Sequence, residues 1–357
     1  MIRRMAFSLV PLVLVLAALE GGLRFAADDA PLSRLSDMHQ GTAMEGHPTR
    51  MWALRHDMEE QFGAATRVRE DGLREVVLTG AELRILTLGD SSIFGHALEN
   101  DDTLHHSLGQ ALARRNVGVD VLCGGIPGYS TEQTLLLLDE VGWALNPDLL
   151  VIGNLWSDNN YDHFVDREWM DLLDAPLLKA DRVFNRSQTW RWLRGHVAGQ
   201  KAAAGEDFSP VGWIRDPYET GRRRVPLSDY AANLDRMLLE ASQREIGAVV
   251  FQPANPMRLR NAAYEANWLA YFDIQRGIAE RRNVPVVDGA EVLGALSMSS
   301  ADAFLDDLHP TGVANRAYAE ALAAALEERG WPETSLVPSS TPPLYDKRLR
   351  DDWAVPE

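Results

Sequence analysis

Five short apolar runs recur along the chain: Leu83-Arg84-Ile85-Leu86-Thr87-Leu88, Val119-Asp120-Val121-Leu122, Leu149-Leu150-Val151-Ile152, Ala248-Val249-Val250-Phe251 and Val284-Pro285-Val286-Val287. Their length and aliphatic content predict strands, and the unbroken third run fits a strand buried on both faces of a parallel sheet. Between them the apolar spacing changes to that of helices. One helix is predicted over about Thr103–Arg115. A second opens at Ser130 with Gln133 three residues on, a capping-box pattern, and carries Leu135, Leu138 and Val141 on one face. A third carries Tyr264, Trp268, Tyr271 and Ile278, and the last runs from about Val313 to Glu328. Strands alternating with helices predict an α/β domain over residues 81–334, three-layer α/β/α with a mostly parallel five-stranded sheet.

The flanks read differently. Residues 28–80 are polar and aperiodic, an extended lead-in with short strands. Residues 160–226 are too long for a plain connection and carry Trp169, Trp190, Trp192 and Trp213, which predicts a helical insertion, either a satellite core or a lid over a site. Within it Arg222-Arg223-Arg224 reads as a solvated patch, and residues 335–357 as a C-terminal tail. At the start, Arg3 and Arg4 precede an apolar run from Met5 to Leu19. Continued as helix to Phe25, that run reaches about 31 Å, close to the roughly 30 Å hydrocarbon core of a bilayer. No good small-residue cleavage site follows. Residues 1–27 are therefore expected to be an uncleaved signal anchor, with a cleaved signal peptide or a buried cytoplasmic helix as the alternatives. The two arginines keep the N-terminus in the cytoplasm and send the remainder outside, to the periplasm or, after cleavage, into secretion.

Charge narrows the partners. Among 357 residues, 35 basic against 52 acidic side chains give a net −17, which leaves no basic footprint for nucleic acid. A single cysteine, Cys123, excludes an intrachain disulfide or a cysteine-rich zinc site. No His, Asp and Glu cluster has metal-ligand spacing, and His105 and His106 are neighbours facing different ways on a predicted helix; neither a metal nor a cofactor is expected.

Ligands of a parallel α/β sheet sit beyond the carboxyl ends of its strands, and four segments there carry candidate chemistry. Gly89-Asp90-Ser91-Ser92 follows the first strand and sets Ser91 in a tight turn at a helix start, where developing negative charge is favoured. Gly124-Gly125-Ile126-Pro127-Gly128-Tyr129-Ser130 follows the second; its spacing is not that of a dinucleotide loop, while the Gly128 amide suits an oxyanion. Asn154-Leu155-Trp156-Ser157-Asp158-Asn159-Asn160 crowds the end of the third. In Asp306-Asp307-Leu308-His309-Pro310 a carboxylate three residues ahead of an imidazole can hold its Nδ1–H, fixing the tautomer for proton transfer from a serine. A similar pair, Asp102 and His105, falls in the first helix and reads as surface decoration.

In this order the four segments resemble the SGNH (GDSL-type) hydrolase superfamily, over roughly residues 83–328. The resemblance implies a flavodoxin-like sheet of order 2-1-3-4-5 and a serine esterase. It implies Ser91 as nucleophile, His309 as base and Asp306 as its orienter, with the Ser91 and Gly128 amides in the oxyanion hole. Two positions depart from the family pattern. Cys123 stands where the second block often has Asn, and Ser157 stands where the third block has its oxyanion Asn, with Asn154 and Asn159 as possible substitutes. The implied activity is hydrolysis of acyl or acetyl esters of small molecules, polysaccharide or lipid at the cell envelope. The same machinery would serve an O-acyltransferase, and a glycan-binding module of low activity is the third alternative.

Overall fold

The computed structural model describes residues 18–20, 44–57, 59–61, 63–162, 165–174, 222–260 and 268–341. Two small antiparallel hairpins come first, β1 (Met44–His47) with β2 (Met51–Leu54) and β3 (Glu60–Gln61) with β4 (Ala64–Ala65). Then follow β5 (Leu83–Gly89), β6 (Val119–Gly125) and β7 (Leu149–Ile152). An antiparallel pair, β8 (Tyr161–Asp162) and β9 (Arg222–Arg223), brackets the long insertion, and β10 (Gly247–Gln252) and β11 (Val286–Asp288) complete the strands among the described residues. The helices used below are α1 (Ser91–Phe94), α2 (Leu104–Ala113), α3 (Thr131–Glu140), α4 (Trp156–Asn159), α5 (Asp166–Asp174), α6 (Leu227–Gln243), α7 (Leu269–Arg282), α8 (Gly289–Ala295) and α9 (Gly312–Glu328).

The central sheet has the order β11-β10-β7-β5-β6, and every pair in it is parallel. Numbered by appearance, that is the 2-1-3-4-5 order. Alternate residues of each strand face opposite layers, as the two-residue period requires. Leu86, Leu88, Leu122, Leu150, Ile152 and Val250 pack on one side with α3, α6 and α7. Ile85, Val121, Val151, Val249, Phe251 and Val287 pack on the other with α2, α8 and α9. The three-layer α/β/α architecture is thus present. Because the chain adds β6 to one side of β5 and β7 to the other, the loops after these strands diverge at the carboxyl end of β5, the position where ligands of such sheets bind.

The fifth strand starts later than its apolar run, because the Val284 N–H closes the end of α7 on Ala279 and Pro285 has no N–H to give. The lead-in is part of the body: Met44, Met51, Trp52, Leu54 and Leu73 join the core, and the fully buried Arg74 donates to the carbonyls of Phe94, Gly95 and Leu98. The C-terminal tail begins docked, since the Ser339 and Thr341 carbonyls accept from the buried Arg282; residues 342–357 lie outside the described residues.

The three arginines of the insertion are not one solvated patch. Arg222 is exposed, whereas Arg224 is buried against Asp166. Of the insertion's tryptophans, Trp169 packs on the core, while Trp190, Trp192 and Trp213 lie outside the described residues, as does Tyr264. The expected membrane helix over residues 1–27 also lies outside them apart from Ala18–Glu20. Among the described residues no helix is long and apolar enough to cross a membrane.

Candidate functional site

Ser91 opens α1, directly past the end of β5. The approach of α1 to the strand is tight: a Cβ on Gly89 would lie 2.4 Å from Ile93 Cγ1, so the turn needs glycine there. Asp90, fully buried, fixes the turn. Its Oδ1 accepts from the Ser92 amide at 3.0 Å, and its Oδ2 accepts from the amides of Trp156 and Ser157 at 3.1 and 3.3 Å. One carboxylate therefore ties the Ser91 turn to the start of α4. Burial pushes Asp90 above the usual carboxylate range, against the pull of those amides.

The other half of the site comes from the far end of the chain. Phe304 and Pro310 bridge, and the Leu305 N–H donates to the His309 carbonyl at 2.8 Å, closing a narrow loop just ahead of α9. Within it Asp306 Oδ1 accepts from the Leu308 and His309 amides at 2.8 and 2.7 Å, which leaves Oδ2 to face the imidazole. His309 Nδ1 lies 2.7 Å from that oxygen, and His309 Nε2 lies 2.8 Å from Ser91 Oγ. An ionised carboxylate only accepts, so the proton sits on Nδ1 and Nε2 is left to accept from the Ser91 hydroxyl. Burial raises the Asp306 carboxyl, but the bonds from His309 and Leu308 outweigh it and hold the group below its ordinary value.

His96, which sequence reasoning did not single out, stacks on His309 with ring centroids 4.0 Å apart and planes 16° from parallel. Its backbone N–H donates to the Ser91 carbonyl at 3.1 Å. Burial, then the charge of His309, pushes His96 down to about 4, so it is neutral at physiological pH. Nothing in the Gly95-His96 sequence signals this contact.

The remaining candidates separate. Ile126-Pro127-Gly128-Tyr129 forms a turn in which the Tyr129 N–H donates to the Ile126 carbonyl at 3.0 Å and Gly128 has φ +77°. Among the described residues neither the Ser91 nor the Gly128 N–H has an acceptor. Ser157 is buried in α4 and linked to the Ser91 turn through Asp90. Asn154 is fully buried with Nδ2 on Thr134 Oγ1 at 2.9 Å, so that donor is spent in the core. Asn159 sits half-buried at the end of α4.

Asp158 is fully buried, accepts from the Thr131 amide and hydroxyl, and is pushed by burial up to about 8. Cys123 is an inert core thiol, raised by burial to about 11. His105 is not on the surface as expected; it is buried in α2 with Nε2 3.0 Å from Thr103 Oγ1, and Asp102 pairs with Arg316 instead. Among the described residues no group of His, Cys, Asp and Glu is arranged to hold a metal ion.

Behind the Gly128 turn stands a buried clamp that the sequence did not announce. Arg224 pairs with Asp166 at 2.9 and 2.7 Å and donates to the Gly128 carbonyl at 2.8 Å and to Gln133 Oε1 at 2.9 Å. From the lead-in, Trp52 Nε1 donates to the Pro127 carbonyl at 3.0 Å.

No family model and no curated protein matches the chain. Among solved structures it is similar to LAE5, an α/β hydrolase enzyme from the metagenome of Lake Arreo, Spain, at 18% identity over 69% of this chain and 96% of that one, TM-score 0.47. It is also similar to the lipase/acylhydrolase from Enterococcus faecalis, at 16% identity over 69% and 96%, TM-score 0.45. A third is Axe2, an acetylxylan esterase from Geobacillus stearothermophilus, at 17% identity over 70% and 96%, TM-score 0.45.

Proposed function

We propose that the chain is a serine ester hydrolase of SGNH type, acting through an acyl-enzyme on acyl or acetyl esters of carbohydrate or lipid. The observation that carries this reading is the unbroken run Asp306 Oδ2, His309 Nδ1, His309 Nε2, Ser91 Oγ, with both links in hydrogen-bond range. As Ser91 Oγ bonds to the ester carbonyl carbon, its proton passes to His309 Nε2, and Asp306 stabilises the imidazolium through Nδ1. The carbonyl oxygen takes the negative charge and meets the Ser91 and Gly128 amides, with the Ser157 hydroxyl as third donor. Collapse of the adduct expels the alcohol, which takes the proton from His309. Water then repeats the cycle on the acyl-serine, returning the acid and free Ser91.

Ser157 in place of an amide side chain keeps one donor but supports a slower enzyme, with the about 10²–10³ lost in turnover on outright removal of an oxyanion donor as the upper bound. Location outside the cytoplasm rests on Arg3, Arg4 and the apolar run that follows. An alkaline phosphatase fusion after residue 40 is expected to be active, and an inactive fusion would move the protein to the cytoplasm.

The central test uses purified protein with p-nitrophenyl acetate and a serine-directed fluorophosphonate. Wild type is expected to turn over and to label, and Ser91→Ala to do neither. Unlabelled wild type, or equal labelling of Ser91→Ala, would overturn the reading. An oligosaccharide acceptor added to the assay separates hydrolysis from acyl transfer, and predominant transfer would make the protein an O-acyltransferase.

A further inference from the structure

The turn Ile126-Pro127-Gly128-Tyr129 has proline at its second position and glycine at its third with φ +77°, closed by the Tyr129 N–H on the Ile126 carbonyl. Those are the features of a type II turn. Types I and II differ by a near half-turn of the central peptide, here the one joining Pro127 to Gly128. A peptide is planar, with its C=O and N–H pointing in opposite directions. The flip that converts one turn into the other therefore swings the Gly128 N–H to the opposite side. Pro-Gly favours the type II setting, but glycine tolerates both, so the loop's own chemistry biases the choice without locking it.

The structure supplies a lock from elsewhere. Trp52, in β2 and buried, donates its indole N–H to the Pro127 carbonyl, the other end of the same peptide plane. Its ring lies flush on the turn, with Cζ2 3.0 Å from where a Gly128 Cβ would stand. The Arg224 guanidinium lies over the Trp52 ring at 5.2 Å and binds the next carbonyl, that of Gly128.

We infer that Trp52 is a positioning residue: by holding the Pro127 carbonyl it keeps the Pro127–Gly128 peptide in the setting that aims the Gly128 N–H at the oxyanion. A hydrogen bond to the carbonyl also polarises the amide, which strengthens the same N–H as a donor. The inference rests on the esterase reading, and it assigns a function to the β1–β2 hairpin that precedes the sheet.

The test compares wild type, Trp52→Phe, and a protein carrying β-(3-benzothienyl)alanine at position 52, in which sulfur replaces the indole N–H at nearly the same shape. Steady-state kinetics on p-nitrophenyl acetate are read beside inhibition by a trifluoromethyl ketone, whose adduct with Ser91 mimics the oxyanion. Both replacements are expected to lower kcat about tenfold, less than the about 10²–10³ for deleting an oxyanion donor outright, because the turn still visits the right setting. KM is expected to stay within about twofold, and ketone affinity to fall in parallel with kcat/KM. Active wild type with unchanged kcat in the benzothienyl protein would overturn the inference and leave the esterase reading standing. A loss of kcat without a loss of ketone affinity would overturn it as well. Wild type without turnover would instead remove the esterase reading itself.

Discussion

Arg222 and Arg224 stand two positions apart and predict opposite outcomes on truncation. The Arg224 side chain is 6% exposed and its partner Asp166 0%, whereas Arg222 and its partner Glu168 are 53% and 59% exposed. Arg224→Ala leaves the Asp166 carboxylate buried without its cation, which costs about 3–5 kcal/mol. The Gly128 carbonyl and Gln133 Oε1 lose a donor as well, at up to about 1–3 kcal/mol each, part of which water entering the vacated space recovers. A net loss of about 4 kcal/mol is a large share of a typical total of about 5–15. At about 2–4 °C per kcal/mol for a domain of this size class, Tm should fall by roughly 8–16 °C.

Arg222→Ala should cost no more than about 1 kcal/mol, as exposed ion pairs do. The assay is thermal unfolding by circular dichroism, with urea midpoints as a second measure. Replacing both partners, Arg224→Met with Asp166→Leu, should recover most of the loss, because what is expensive is the orphaned charge rather than the absence of the pair. Equal Tm shifts for Arg222→Ala and Arg224→Ala would refute the reasoning and return Arg224 to the solvated patch that the sequence predicts.

Two further outcomes follow from the buried titratable groups. Native Asp158 keeps its proton up to about pH 8, whereas an unfolded aspartate ionises near its ordinary pKa of about 3.9; the native state thus binds more protons in between, and this contribution to stability is lost as pH rises through that window. Asp158→Asn should remove that slope, seen as Tm curves of the two proteins that converge or cross between pH 4.5 and 8.5; parallel curves would defeat it. His96, held down to about 4 by burial, acts in the other direction and costs stability as pH falls below about 6.5, where the unfolded imidazole takes a proton. His96→Phe keeps a ring against His309 and should hold kcat within about threefold, while His96→Ala should lower it about tenfold or more through misplacement of the imidazole; equal kcat in the two variants would count against the stack as a support.

The parallel sheet was legible because its strands are largely buried on both faces and appear as short, mostly apolar runs. Only the fifth was displaced, by a proline that the apolar pattern does not register. The placement of the catalytic candidates was legible for a related reason: Ser91, Gly128 and Ser157 lie in segments that follow strands and His309 precedes a helix, and of these the structure brings Ser91 and His309 within hydrogen-bond range. The short strands of the lead-in were legible, but its burial was not, because Met51, Trp52 and Leu54 are covered by tertiary contact, with no periodicity of their own to announce it. The same holds for His105 and Arg224, whose residue types predict solvent and whose surroundings do not.

Taken alone, the sequence determined the layers, the strand-by-strand order of polar segments and which side chains could move a proton. Only the tertiary structure decided that Ser91 and His309, 218 positions apart, would meet. It also decided that His96 would lie on the imidazole and that Trp52 and Arg224 would stand behind the Gly128 turn. The reason lies in what each contact binds. A strand or helix is encoded by a repeating choice of side chains, so it leaves a pattern. The supports of the site bind backbone carbonyls and ring faces, groups that every residue or many residues present. Such an acceptor carries no residue identity, and its partner becomes visible only when the chain is folded.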